Sequence, residues 1–291
     1  MSQHTFEVAA GERFEFGRNW RHFLDRLSPA QIAEAERSLQ EMLGCQSLSG
    51  KSFLDIGSGS GLFSLAARRL GARVHSFDYD PQSVACTQAL KTRYFPNDEL
   101  WTIDEGSALD RSYLAGLGTF DVVYSWGVLH HTGAMWQGLG LAAANVAPGG
   151  LLFIAIYNHQ PFWTRLHTLQ KRIYVAAPHW LRVPLAGVLM AGHAARGVAA
   201  DLVRLRNPLT RFRPGSRTRG MSWWYDCLDW IGGYPFETAT PEAIAEFYRE
   251  RGFVLERSTT CGQGSGCNQF IFRRVTESGG LTESPAGHPH G

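Results

Sequence analysis

Apolar and polar positions fall along the chain in two alternating rhythms. Four short runs rich in β-branched or aromatic residues lie at 52–56, 73–78, 120–126 and 151–157, with a weaker fifth at 99–103. Runs of this length bounded by turn residues predict buried strands. Between them lie stretches with helical start and stop signals. Asp80 followed by Pro81 places a capping acid before a proline at the first helical position, leading into a helix over 82–94. A second helix, 62–70, follows a glycine loop and is stopped by Gly71. Strand and helix in alternation predict a parallel sheet covered on both faces.

The flanks add elements of their own. Ser28-Pro29-Ala30-Gln31 reads as a capping box opening a helix to Leu43. Thr240-Pro241-Glu242 opens another that runs to Arg251 and stops at Gly252, and 253–259 and 268–273 read as closing strands. The segment 160–235 is different in kind, mixing tryptophans, prolines and apolar helix material with arginines at 204, 206, 211, 213, 217 and 219. The predicted organisation is an N-terminal helical flap (1–48), a ligand-binding core (49–159), a covering insert (160–235), a segment completing the core (236–275) and a Gly/Pro/Ser/His-rich disordered tail (276–291).

Composition narrows the class. In 291 residues, 44% hydrophobic and 19% charged content exclude bulk disorder. The formal charge of +2, from 28 basic and 26 acidic side chains, gives no global signature of nucleic-acid binding. Five cysteines (45, 86, 227, 261 and 267) are too few and odd for a disulfide scaffold, which points to a reducing, cytoplasmic compartment. No cluster has metal-ligand spacing, so no metal is expected. The N-terminus lacks a signal-peptide pattern. The longest uncharged apolar run, 183–195, has 13 residues and contains Pro184. A spanning helix needs about 20, so no transmembrane segment is expected.

The strongest chemical signal is Phe53-Leu54-Asp55-Ile56-Gly57-Ser58-Gly59-Ser60-Gly61. Glycines after a strand let the backbone approach a ligand, and the helix that follows offers free N–H groups at its start. Asp78 closes the second strand, where a carboxylate can take ribose hydroxyls. A dinucleotide fingerprint needs glycine where Leu62 stands. Asp55 is ill placed beside a pyrophosphate but suits an amino group. This charge pattern favours S-adenosylmethionine over NAD, with an ordinary Gly-rich turn as the bland alternative.

The runs LDIGSGSG, SFDYD, FDVVYSWGVLHHTG and APGGLLFIAIYN resemble the class I S-adenosylmethionine-dependent methyltransferases, nearest the small-molecule branch typified by ubiquinone-biosynthesis O-methyltransferases. The resemblance spans 50–160 and resumes over 236–273. It implies a Rossmann-like, doubly wound α/β sheet of seven strands, with a helical flap ahead of it and a helical, aromatic insert after strand 5. It also implies that Gly57, Ser58, Gly59 and Gly61 line the methionyl and ribose portions, that Asp55 meets the amino group, and that Asp78 holds the ribose. Tyr79 and the Ser107–Ala108 pair would flank the adenine, although family members usually carry an acid where Ser107 stands. Ser125 and Trp126 would border the transfer site.

Ahead of the first strand, Arg18 is a candidate partner for the methionyl carboxylate and Trp20 an aromatic face for the sulfonium; plain packing is the alternative. His131, then His130, are candidate bases for an acceptor that needs deprotonation, against helix capping and packing. Tyr157, Asn158, Trp223 and Trp224 are candidate acceptor contacts. The arginines at 204–219 read as a solvated loop or as an attractor of an anionic substrate or lipid surface. The expected reaction moves a methyl group to O, N or S of a small apolar or aromatic acceptor. An NAD-dependent oxidoreductase, a nucleic-acid methyltransferase and a non-catalytic S-adenosylmethionine-binding protein are the competing readings. The nucleic-acid reading is disfavoured because Ser125-Trp126-Gly127-Val128 lacks an Asn/Asp-Pro-Pro-Tyr sequence.

Overall fold

The computed structural model describes residues 2–203, 205, 207, 223–262, 264 and 266–276. Helices α1 (Gln3–Ala9), α2 (Gly17–Leu24) and α3 (Pro29–Leu43) precede the first strand. The core then alternates β1 (Ser52–Ile56), α4 (Leu62–Arg69), β2 (Arg73–Asp78), α5 (Pro81–Tyr94), β3 (Trp101–Glu105), α6 (Arg111–Leu117), β4 (Phe120–Trp126), α7 (Met135–Ala144) and β5 (Val146–Tyr157). Helices α8 (Pro161–Ala176), α9 (His179–Val203) and α10 (Trp223–Gly232) follow, then α11 (Pro241–Arg249), β6 (Phe253–Thr259) and β7 (Cys267–Arg274).

The seven strands form one sheet in the order β3-β2-β1-β4-β5-β7-β6. β1 to β5 pair in parallel, and β7 runs antiparallel between β5 and β6. This is the doubly wound class I methyltransferase topology. The order reverses between β1 and β4, and a crevice opens beyond their carboxyl ends.

The period-2 pattern of β1 explains both core layers. Leu54 and Ile56 point into a cluster with Phe77, Val123 and Ile154, while Phe53 points the other way, against Val122, Tyr124 and Phe153. Asp55 shares the face of Phe53, which carries it under the start of α4. The Ser28 capping box forms as expected, and Gly44 ends α3 in the left-handed conformation.

The weak third strand begins at Trp101 rather than at residue 99, because Asp98 turns the chain by accepting the Leu100 N–H at 2.9 Å. Trp101 is fully buried, and its indole donates to Ser76 Oγ at 2.9 Å. The insert holds one long apolar helix. Trp180–Val203 in α9 is 24 residues long with a mean hydropathy of 1.2, long and apolar enough by composition to cross a membrane. It also carries Arg182, Pro184, Arg196 and Asp201. Its Ala186 and Met190 are buried with Tyr174, Val175 and Ile231 in a small core shared by α8, α9 and α10. The arginines at 204, 206, 211, 213, 217 and 219 and the tail from 277 lie outside the described residues.

Candidate functional site

The crevice at the strand reversal is a cavity of 1740 Å³. A single small-molecule site occupies ~300–1000 Å³, so this one has room for two molecules side by side. Its floor is the turn after β1. Gly57 holds φ +76°, and a Cβ there would sit 2.4 Å from Val128 Cγ1. Only glycine takes that conformation in that space. The Gly57 and Ser58 N–H groups both donate to the Phe77 carbonyl, at 2.9 and 3.0 Å, which fixes the turn against β2.

Two carboxylates flank the turn. Asp55 is buried, and the Ser64 hydroxyl donates to its Oδ2. Burial pushes its pKa up to about 7, against the Ser64 hydrogen bond and with a smaller push from Asp78. Asp78 accepts the Gly59 N–H and the Asp80 N–H, each at 2.9 Å, and burial raises it to about 6 in spite of these bonds. Neither carboxylate has an ion-pair partner among the described residues, so a cationic amine beside Asp55 and hydroxyl donors beside Asp78 would complete both. S-adenosylmethionine carries both kinds of donor, an amino group and ribose hydroxyls.

Segments before β1 roof the cavity. A Cβ on Gly59 would lie 3.0 Å from the Trp20 indole, so Trp20 rests directly on the glycine turn. The Gly17 N–H donates to Asp80 Oδ2 at 2.7 Å, and Asn19 Nδ2 donates to Asp229 Oδ1 of α10 at 2.6 Å. Arg13 ties the roof to the far wall. It donates to Glu7 at 2.7 Å and to the His131 carbonyl at 2.9 Å, with its guanidinium 5.1 Å from the Tyr79 ring centre.

At the opposite end, His131 belongs to a short 3-10 turn, Leu129–His131, after β4. Its Nδ1 lies 2.6 Å from the Pro235 carbonyl and therefore carries the proton, leaving Nε2 as the accepting nitrogen. Burial, helped by Lys171 and Arg13, pushes its pKa down to about 3, so the ring is neutral at physiological pH. A Cβ on Gly233 would come within 3.2 Å of that Nε2, so glycine there keeps space beside it.

Twelve of the residues singled out in the sequence line this one cavity: Trp20, Asp55, Gly57, Ser58, Gly59, Asp78, Tyr79, Ser107, Ala108, Trp126, His131 and Tyr157. Others do not. Arg18 is exposed, because α2 turns Gly17, Asn19 and Phe23 inward and Arg18 outward; Arg13 is a guanidinium of the N-terminal segment that does line the cavity. Gly61 caps α4, where a Cβ would lie 2.8 Å from Thr87 Cα, so it serves helix packing. Ser125 is fully buried and donates to the Ile56 carbonyl at 3.2 Å, pinning β4 to β1. His130 is buried and accepts the Tyr157 N–H at 3.3 Å. Asn158 donates to the Gly262 and Gly264 carbonyls and accepts from Asn268, a closing knot for β7. The side chains of Trp223 and Trp224 lie outside the described residues.

The sequence reading missed several cavity residues, among them Arg13, Asp229 and Cys267. It also missed Lys171, which is fully buried beside them and donates to the Trp230 carbonyl. Its ammonium sits 4.9 and 4.7 Å from the Trp230 and Phe236 ring centres, and burial lowers its pKa to about 7.

Comparison with known proteins gives a consistent picture. A family model described as a methyltransferase domain matches residues 12–257. A ubiquinone biosynthesis O-methyltransferase of Methylobacterium sp. (strain 4-46) is 30% identical over 140 residues, covering 46% of this chain and 54% of its own. The protein of the same name in Colwellia psychrerythraea (strain 34H) is 33% identical over 107 residues, covering 36% and 41%. The chain thus matches about half the length of these curated relatives. Magnesium protoporphyrin IX methyltransferase from Synechocystis PCC 6803, solved with bound SAH, shares the fold at a TM-score of 0.51 and 14% identity, over 84% of this chain and 83% of its own.

Proposed function

The chain belongs to the methyltransferase-domain family, and from that premise we propose that it moves a methyl group from S-adenosylmethionine to oxygen, nitrogen or sulfur of a small apolar or aromatic acceptor. The observation that carries this reading is the pair of carboxylates, buried Asp55 and half-buried Asp78, on either side of the glycine turn in a cavity with room for a second molecule. The names of the curated relatives favour an oxygen acceptor.

Asp78 would hold the ribose hydroxyls and Asp55 the amino group, with Arg13 in the roof a guanidinium for the carboxylate. Tyr79 and Ser107–Ala108 would border the adenine, although the Ser107 hydroxyl is already engaged by the Leu109 N–H at 3.2 Å. When bound, the cofactor supplies a methyl group on a sulfonium, a leaving group that needs no further activation. The chain's work is then positioning and exclusion of water. Trp20, Phe16 and Arg13 close the roof, and Trp126 and Tyr157 form the wall towards the acceptor end. His131 Nε2 would accept the acceptor's hydrogen. With its pKa near 3 it acts as a hydrogen-bond acceptor that orients the nucleophile, and only weakly as a proton store. None of the five cysteines forms a disulfide, which fits a reducing, cytoplasmic setting.

The test is incubation with methyl-labelled S-adenosylmethionine and a host metabolite extract, followed by identification of the labelled product. A labelled small molecule is expected. Cofactor binding without turnover on any extract would leave a binding protein, and calorimetric heat with NAD but none with S-adenosylmethionine or its demethylated product would overturn the reading.

A further inference from the structure

Helices α8 and α9 carry apolar residues on two faces. Their inner faces supply Tyr174, Val175, Ala186 and Met190 to the small core of the insert. On the outer faces, Phe162, Leu169 and Ile173 of α8 and Trp180 and Val188 of α9 are between 53% and 76% exposed. Spacing by seven and four places the α8 set along one side of its helix, and Trp180 and Val188, eight apart, share a side of α9. A large apolar face turned to solvent marks a binding surface.

Charge identifies what would cover it. Arg165, Arg172 and Arg196 are exposed among these residues, and the one acid of 160–203, Asp201, is buried. The bias is wider than the face: residues 160–225 hold eleven Lys and Arg against that single acid, in a chain whose total charge is only +2. The remainder of the molecule is therefore net negative, by eight charges. An anionic surface attracts the insert and repels the rest, which fixes the orientation of approach. Two copies of the insert would repel each other face to face.

We propose that the outer face of α8 and α9 docks on an anionic lipid bilayer, with both helices lying in the plane of the headgroups. An apolar stripe interrupted by arginines is the pattern of an interfacial helix. Burial of Ala186 and Met190 against Ile231 keeps α9 on the protein body, so it lies along the membrane rather than across it. The same helix lines the cavity from within, through Met190, Ala194, Arg196 and Gly197. Docking therefore brings the insert wall of the cavity to the bilayer, where an acceptor dissolved in lipid meets it. This last consequence rests on the methyl-transfer reading; the docking does not.

Flotation of the full chain with phosphatidylcholine vesicles, with and without phosphatidylglycerol, tests the proposal. Binding is expected to the anionic vesicles and to fall with added salt. The variants Leu169→Glu/Ile173→Glu and Arg165→Glu/Arg172→Glu should each lose about tenfold or more in vesicle partitioning. Unchanged far-UV circular dichroism and unchanged calorimetric affinity for S-adenosylmethionine would show that fold and cofactor site survive in both. Absence of binding to anionic vesicles, or wild-type binding by both variants, would overturn the proposal. So would resistance of vesicle-bound protein to alkaline extraction, which marks a spanning helix. Concentration-dependent dimerisation abolished by the same variants, without vesicle binding, would assign the face to a second copy and overturn it too.

Discussion

Asp55 and His131 set opposite pH dependences on the same small site. Asp55 is raised to about 7 in the fold and would titrate near its ordinary value in the unfolded chain, so the native state binds the extra proton and stability falls as pH rises between about 4 and 7. His131 is lowered to about 3, so the unfolded chain binds the extra proton and stability rises with pH between about 3 and 6.5. In urea melts from pH 4 to 6.5 the two nearly cancel in the wild type. Relative to the wild type, Asp55→Asn should make the slope of stability against pH more positive by up to about 1.4 kcal/mol per unit, and His131→Gln more negative by as much. Ligand binding separates the roles again. An ammonium group beside Asp55 favours its ionised form, so binding of S-adenosylmethionine below pH 7 should release a proton. Calorimetry in buffers of different ionisation enthalpy reads that release, and Asp55→Asn should abolish it. Asp78→Ala should weaken cofactor binding by about tenfold or more, through lost charge-assisted hydrogen bonds; unchanged affinity would remove it from the ribose role. His131→Ala should lower turnover more than cofactor affinity, and a near-normal rate would exclude it from orienting the acceptor. Asp55 and Asp78 could be read from sequence because their chemistry is tied to a local turn. Arg13, Asp229 and Cys267 could not, because long-range folding brings them to the cavity from either end of the chain. Arg18 was misjudged for a local reason, the phase of a two-turn helix.

Elements buried on both faces announced themselves. β1, β2 and β4 each hold buried apolar residues on both faces (Phe53 and Leu54, Val74 and Phe77, Val122 and Val123) because helices cover both sides of a parallel sheet, and their bounds were read to the residue. β3 lies at the sheet edge, with Thr102, Asp104 and Glu105 in its five residues, and its polar outer positions blurred its start. Helix ends followed their caps. Ser28→Ala should destabilise the protein by about 1 kcal/mol in chemical denaturation, the usual contribution of an N-cap hydroxyl. Gly57→Ala tests the turn after β1 more severely. The left-handed φ costs ~1–2 kcal/mol, and the contact with Val128 adds to it. Its midpoint should drop measurably, and cofactor affinity should fall further than the change in stability alone explains.

The molecule as a whole is less symmetric than its net charge suggests. A value of +2 conceals a strongly basic insert on an acidic body. The doubly wound sheet of seven strands was legible from the alternation of strand and helix, together with the family resemblance. How the flanks close over it was not, because the roof joins segments 210 and 118 residues apart: Asn19 to Asp229, and Arg13 to the turn at His131.

That long reach has a consequence for the order of events during synthesis. The first helices leave the ribosome before any strand exists, yet their anchoring partners are not made until Asp80, His131 and finally Asp229 have emerged. A nascent chain halted near residue 160 would already hold five strands and the glycine turn, but Asn19 would have no Asp229 to grip. The pocket is thus laid down early and shut late, by residues that have waited through most of translation to find their places.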